Sequence, residues 1–128
     1  MRVTDWGRYH PEFQESEFRC SHTGLCDMQV EFMDVLHAIR IEFDKPMVIS
    51  SGYRHPTHPI EARKNTTGEH TMGTCADVKI RGPEALDLIA IALRHGITRF
   101  GIQQKGDVRF LHLGIGGGSL PNPALWSY

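Results

Sequence analysis

Two imidazoles and one carboxylate are the side chains of this chain best suited to hold a metal ion: His70 and Asp77, seven residues apart, with His112 supplied from a distant segment. Zinc accepts neutral imidazole nitrogen and carboxylate oxygen in a tetrahedral shell, and three protein ligands leave the fourth position open for chemistry. Gly73, Cys75 and Ala76 lie between the first two ligands. All three are small, so the backbone can turn sharply there and swing both side chains toward one point. The chain has eight histidines, which makes chance groupings common. Spacing alone therefore leaves both a metal set and a scatter of ordinary histidines open.

Strands and helices must bring these residues together. Ala76 to Ile80 reads as a strand that Asp77 helps to begin. Arg99 to Gln103 and Val108 to Ile115 are apolar runs joined by Gln104-Lys105-Gly106-Asp107, the pattern of a hairpin with a glycine-containing turn, and His112 falls in the second run. From Gln29 to Phe43 the apolar residues Val30, Phe32, Met33, Leu36, Ile39, Ile41 and Phe43 recur mostly at three- and four-residue spacings, which predicts an amphipathic helix. Asp27 is placed to cap its start, and Lys45-Pro46 closes it. A second amphipathic helix is expected from Pro83 to His95, opened by its proline and stopped by Gly96. Met47-Val48-Ile49 reads as a buried strand. Tyr53 to Gly73 is polar and without period, the signature of a long surface loop, and such loops in small domains usually carry function. Residues 1 to 19 read as an irregular arm packed over the core. The order predicts an α+β fold, a small antiparallel sheet flanked by helices, in a single domain over residues 1 to 128.

Composition narrows the partners. Fourteen basic side chains against fifteen acidic ones give a net charge of −1, which argues against a nucleic acid or other polyanion as partner. No apolar stretch approaches a membrane span, so no membrane partner is expected. Met1 to Trp6 carries Arg2 and Asp5 and lacks the apolar run of a secretory signal, so synthesis in the cytoplasm without a signal peptide is expected. Three cysteines are too few for a disulfide framework. For Cys20 and Cys26, with His22 between them, a second metal clip, a local disulfide and ordinary reduced thiols all stay open, the last being the default. Gly114-Ile115-Gly116-Gly117-Gly118 lacks the Lys-Ser/Thr ending and the following helix of a phosphate-binding loop.

The stretch Gly68-Glu69-His70-Thr71-Met72-Gly73-Thr74-Cys75-Ala76-Asp77 resembles the S-x-H-x-x-G-x-A-x-D signature of the zinc D-alanyl-D-alanine carboxypeptidases and their phage endolysin relatives, matching at His, Gly and Asp. Ahead of it, Ser51-Gly52-Tyr53-Arg54 is similar to the S-G-Y-R motif of the same family. Behind it, Phe110-Leu111-His112-Leu113 resembles the strand that gives the third ligand, and Leu125-Trp126-Ser127-Tyr128 the Trp-rich ending of short phage members. The similarity runs from about residue 18 to residue 128, with the motifs in the family's order.

The resemblance implies a DD-peptidase-like fold with Zn2+ held in a groove by His70, Asp77 and His112. It implies hydrolysis of peptide bonds in peptidoglycan stem peptides, as a carboxypeptidase or endopeptidase. Arg54 would bind a carboxylate or carbonyl of the stem peptide, a task suited to a guanidinium that donates two parallel hydrogen bonds, with Ser51 and Tyr53 as further substrate contacts. A phage or prophage protein of this kind acts at the cell wall after release or as part of a virion, whose other proteins are then partners.

Two departures from the family pattern, Gly68 for Ser and Cys75 for Ala, keep small residues. A third concerns the general base. The family carries an acid three residues before the last His or two after it, where this chain has Arg109 and Gly114. Amide hydrolysis needs a proton acceptor as well as a metal. Asp107, on the hairpin turn five residues before His112, is the expected substitute, with Glu69 beside a ligand as the alternative. His55, His58 and Glu61 could line the groove as base or electrophile, with a solvated loop residue the default for each. Cys75 shares a strand face with Asp77; a thiolate ligand stays open there beside the default of a small buried thiol. The missing acid also admits a second class of function, a catalytically impaired relative serving as a virion structural or wall-binding protein.

Overall fold

In the computed structural model, which describes residues 1–128, the polypeptide forms α1 (Val30–Phe43), β1 (Val48–Ser51), α2 (Pro59–Ala62), α3 (Glu69–Met72), β2 (Cys75–Lys79), α4 (Pro83–Arg94), β3 (Arg99–Gln103), β4 (Phe110–Gly114) and β5 (Ala124–Ser127). The strands make one sheet in the order β1-β2-β4-β3-β5. Its first four strands pair antiparallel, as the α+β reading expects, whereas β5 joins the far edge parallel to β3.

Side-chain alternation along the strands gives this sheet two faces of opposite character. Ala76, Val78, Phe100, Leu111 and Leu113 belong to one hydrophobic core with Phe32, Leu36 and Ile39 of α1 and Leu88 and Ala92 of α4. The intervening positions supply the other face: Cys75 and Asp77 from β2, His112 and Gly114 from β4, Gly101 from β3. Asp77 lies directly opposite His112, and His112 opposite Gly101. A one-residue slip would send His112 into the core and Leu111 or Leu113 to the polar face, so the apolar alternation itself fixes where this imidazole stands.

The two glycines on that face give room to side chains from elsewhere. A Cβ on Gly101 would lie 2.6 Å from Trp126 Nε1 and 2.7 Å from Tyr128 Oη. A Cβ on Gly114 would lie 1.9 Å from Glu69 Oε2.

Several local expectations are corrected. The N-cap of α1 is Gln29, without a side-chain cap bond, and the Asp27 carboxylate instead faces Arg2 at 3.4 Å. The arm causes this: it pairs with the segment ahead of α1, with the Val3 N–H donating to the Met28 carbonyl at 2.8 Å and a bridge between Arg2 and Gln29. β1 is an edge strand and not a buried one, with Val48 55% exposed. The Tyr53 to Gly73 segment contains the one-turn helices α2 and α3, and Glu61, Glu69 and His70 within it are buried. Four residues are too few to show a helical period, so the sequence hides such turns.

The arm contains two short 3₁₀ turns, Trp6–Tyr9 and Glu15–Glu17, and its aromatic residues Trp6, Tyr9, Phe13 and Phe18 are all buried. Phe13 and Phe18 meet edge-on at 5.4 Å, and the Tyr9 hydroxyl donates to Asp34 of α1 at 2.8 Å. Phe13 is fully buried. Phe13→Ala is therefore expected to cost about 3–5 kcal/mol in a urea unfolding titration, the range for deleting a core phenylalanine; a loss under about 1 kcal/mol, typical of a surface change, would show the arm to be dispensable. No helix is long and apolar enough to cross a membrane.

Candidate metal centre

The turn between α3 and β2 places His70 and Asp77. α3 ends at Gly73 in the left-handed region, φ 72°, and a Cβ there would sit 2.0 Å from the Asp27 carbonyl oxygen. The Gln29 N–H donates to the Gly73 carbonyl at 3.0 Å. Backbone thus packs directly on backbone ahead of α1, and only glycine permits both the conformation and the approach.

The two histidines are then held from behind. His70 Nδ1 lies 2.7 Å from the Gly52 carbonyl oxygen. A carbonyl only accepts, so Nδ1 carries a proton, and Nε2 points inward, where Asp77 Oδ2 stands at 3.4 Å. His112 Nδ1 lies 3.1 Å from Asp77 Oδ1, and its Nε2 lies 2.6 Å from Glu69 Oε1. His70, Asp77, His112 and Glu69 are all buried.

Electrostatics follows from this packing. Burial alone would raise the Asp77 carboxyl, but hydrogen bonds from His112 and His70 outweigh it and hold the group well below the usual carboxylate range. Burial likewise opposes ionisation of Glu69, and contacts with His112, Arg99 and the Gly116 N–H overcome it, so its carboxyl is lowered too. Burial disfavours a charged His112, yet Asp77 and Glu69 on its two sides raise its pKa above the ordinary histidine value. Two carboxylates thus converge on His112 and favour a positive charge there, proton or metal.

Arg54 enters from the S-G-Y-R segment. Its guanidinium is 3.3 Å from Glu61 and 3.8 Å from Asp77, and Lys64 reaches the same Glu61 at 2.9 Å. Glu61 is buried and also accepts from the Thr71 hydroxyl at 3.1 Å, so it anchors both cations and is not a solvated loop residue. Arg54 and Lys64 line a groove of about 460 Å³ together with His70, Asp77, His112 and Glu69.

Other expected site residues stand elsewhere. Ser51 pairs with Asp77 in the sheet but does not line the groove; Tyr53 is buried, with its N–H donating to the Phe18 carbonyl at 2.9 Å. Their segment contributes the Gly52 carbonyl behind His70. Asp107 is exposed on the β3–β4 turn and lines a separate depression with Glu84 and Arg109, so it is not brought to the histidines. His55 and His58 also lie off the groove. His58 caps α2 by accepting from the Ile60 N–H, and Cys20 and Cys26 are free thiols.

Residues not singled out as site residues complete the groove wall: Phe110, Trp126, Tyr128 and Arg99. The Trp126 ring stands 4.9 Å from that of His112 and 5.0 Å from the Arg99 guanidinium carbon. Cys75 is also within reach of a metal, its sulfur lying within 4.8 Å of ligand atoms of both His70 and His112. Burial raises its thiol well above the ordinary cysteine value.

No curated protein matches the chain. The family model described as Peptidase M15 matches residues 11–114, a span that contains the segments 51–54, 68–77 and 110–113 and so His70, Asp77 and His112. The chain therefore belongs to the Peptidase M15 family.

Proposed function

We propose that this member of the family is a zinc-dependent peptidase of peptidoglycan stem peptides, encoded by a phage, with His70, Asp77 and His112 as the zinc ligands. The observation that carries the reading is the convergence of His70 Nε2 and His112 Nδ1 on the two oxygens of Asp77, while the outward nitrogen of each imidazole meets a fixed acceptor. That donor set, two imidazoles and a carboxylate with their outer contacts satisfied, fits zinc. Asp77 is preferred to Cys75 because its two carboxylate oxygens touch the two histidines, at 3.4 Å and 3.1 Å. Zinc bound there supplies Lewis acidity for amide hydrolysis.

The chain's own residues shape the substrate side. Arg54 and Lys64, both braced by Glu61, bring two cations to one end of the groove. They suit a peptide bearing free carboxylates, as stem peptides do. Phe110, Trp126 and Tyr128 give flat apolar walls along which a short peptide can lie. Within this reading the protein acts at the cell wall after release or within a virion.

Release of free amines from purified murein should be abolished by a chelator and restored by added zinc. Zinc-independent release, or release restored only by an unrelated metal, would overturn the reading.

One observation favours a second reading. Asp77 and Glu69 are the only carboxylates lining the groove, and both are engaged by histidine. A protein that binds zinc and wall peptide without cutting fits this equally well as a virion structural or wall-binding component. Zinc bound near one per chain, with muropeptides retained but no amine released, would select it.

A further inference from the structure

We propose that Glu69 is the residue that sets His112 for metal binding, reaching from α3 into the space that a side chain at position 114 of β4 would otherwise fill. The proposal rests on the metal reading given above.

Glu69 is buried, and each of its carboxylate oxygens has a fixed partner. Oε1 accepts from His112 Nε2 at 2.6 Å and from Arg99 Nε at 3.0 Å; Oε2 accepts from the Gly116 N–H at 2.8 Å. An ionised carboxylate has no proton to give, so His112 Nε2 must carry one. Nδ1 is the atom aimed at Asp77, and with the Nε2 proton held by Glu69 it is Nδ1 that gives up its proton when a metal binds. The contact thus selects the tautomer and the ring orientation that metal binding requires. With both oxygens occupied by three donors, Glu69 acts through His112 and is a positioning residue.

The space for this arrangement comes from Gly114. A Cβ there would lie 1.9 Å from Oε2, 2.5 Å from Cδ and 2.7 Å from Oε1 of Glu69. These atoms cannot retreat easily, because Arg99 is itself fixed by the Pro121 carbonyl and by the face of Trp126. Gly114 and the Glu69 carboxylate are therefore mutually dependent: a side chain at 114 expels Glu69, and removing Glu69 opens a pocket that an aspartate rooted at 114 fills with its own carboxylate.

The test compares wild type, Glu69→Ala, Gly114→Asp and the Glu69→Ala/Gly114→Asp pair. Three measurements are made: zinc affinity by competition with a chromophoric chelator, melting temperature of the metal-free protein, and the imidazole nitrogen NMR signals of His112. Glu69→Ala is expected to bind zinc roughly 10- to 100-fold more weakly, the usual effect of losing a partner behind a metal-bound histidine. It should also lose the protonated Nε2 signature of His112. Gly114→Asp alone should melt below wild type, and the pair should regain both zinc affinity and melting temperature over the worse single variant. Zinc affinity and His112 signals unchanged in Glu69→Ala, or a pair no better than either single variant, would overturn the proposal. If Gly114→Asp fails to fold, Glu69→Ala and the NMR signals decide. A wild type that binds no zinc fails the metal reading instead, and the metal-free His112 signals and the melting temperatures of the four proteins still judge the contact with Glu69.

Discussion

On the proposed zinc-peptidase reading, replacing Asp77 with alanine is expected to leave a folded protein that no longer retains zinc and whose murein hydrolysis falls by about 10³-fold or more. Asp77 is the shared point of the centre, with one oxygen toward each histidine. Its removal leaves two imidazoles with nothing between them. A catalytic metal contributes several kcal/mol of transition-state stabilisation, and about 1.4 kcal/mol corresponds to each factor of ten in rate, which sets the size of the loss. Cys75→Ala is the companion experiment. The wholly buried thiol contributes packing in this reading, so its removal should leave zinc content near one per chain. Mass spectrometry of the bound metal alongside amine release separates the two variants. Zinc retained without Asp77 and lost without Cys75 would move the third ligand to the sulfur.

The second large effect is expected at Gly73. Gly73→Ala should destabilise the fold by about 2–5 kcal/mol, combining roughly 1–2 kcal/mol for a left-handed alanine with about 1–3 kcal/mol for overpacking. The added carbon would meet the Asp27 carbonyl oxygen at 2.0 Å, a backbone atom that cannot rotate away. Zinc affinity should fall with stability, because the same turn joins the helix of His70 to the strand of Asp77. Gly24→Ala provides the control. Gly24 has a similar φ of 76° but nothing within 4 Å of the added carbon, so only the conformational cost remains. Urea titrations that give the two variants equal losses would show that the close approach at Gly73 carries no energy.

How far the sequence carried this picture depends on whether each feature is local. β2, β3 and β4 were legible because their alternation is written in consecutive residues, and α1 and α4 because they are long enough to repeat an apolar period. The metal-capable residues were legible because His70, Gly73 and Asp77 lie on one short segment and His112 inside an apolar run. β5 escaped notice: it has four residues, its Leu125 is 73% exposed, and its pairing with β3 is a contact between distant parts of the chain. Asp107 was chosen for nearness in sequence, yet five residues of extended chain span roughly 16 Å, far beyond the reach of a carboxylate. Glu69 was seen only as a neighbour of His70. Its bond to His112 joins residues 43 apart, and its room depends on an absent side chain at Gly114, which no pattern of residue types announces.

Gly101 and Gly114 act on the sheet like sockets on a board. Where most sheets present their own side chains to a ligand, this one withholds them at two positions beside the central histidine and lets Trp126, Tyr128 and Glu69 be inlaid from other segments. The lining of the groove is thereby uncoupled from the strands that hold its metal-capable residues. Changes in the last strand or in the segment after Arg54 can re-line the groove for a different peptide, while the β2–β4 pairing that aligns Asp77 with His112 stays as it is. A small domain built this way can diversify its substrates without rebuilding its core.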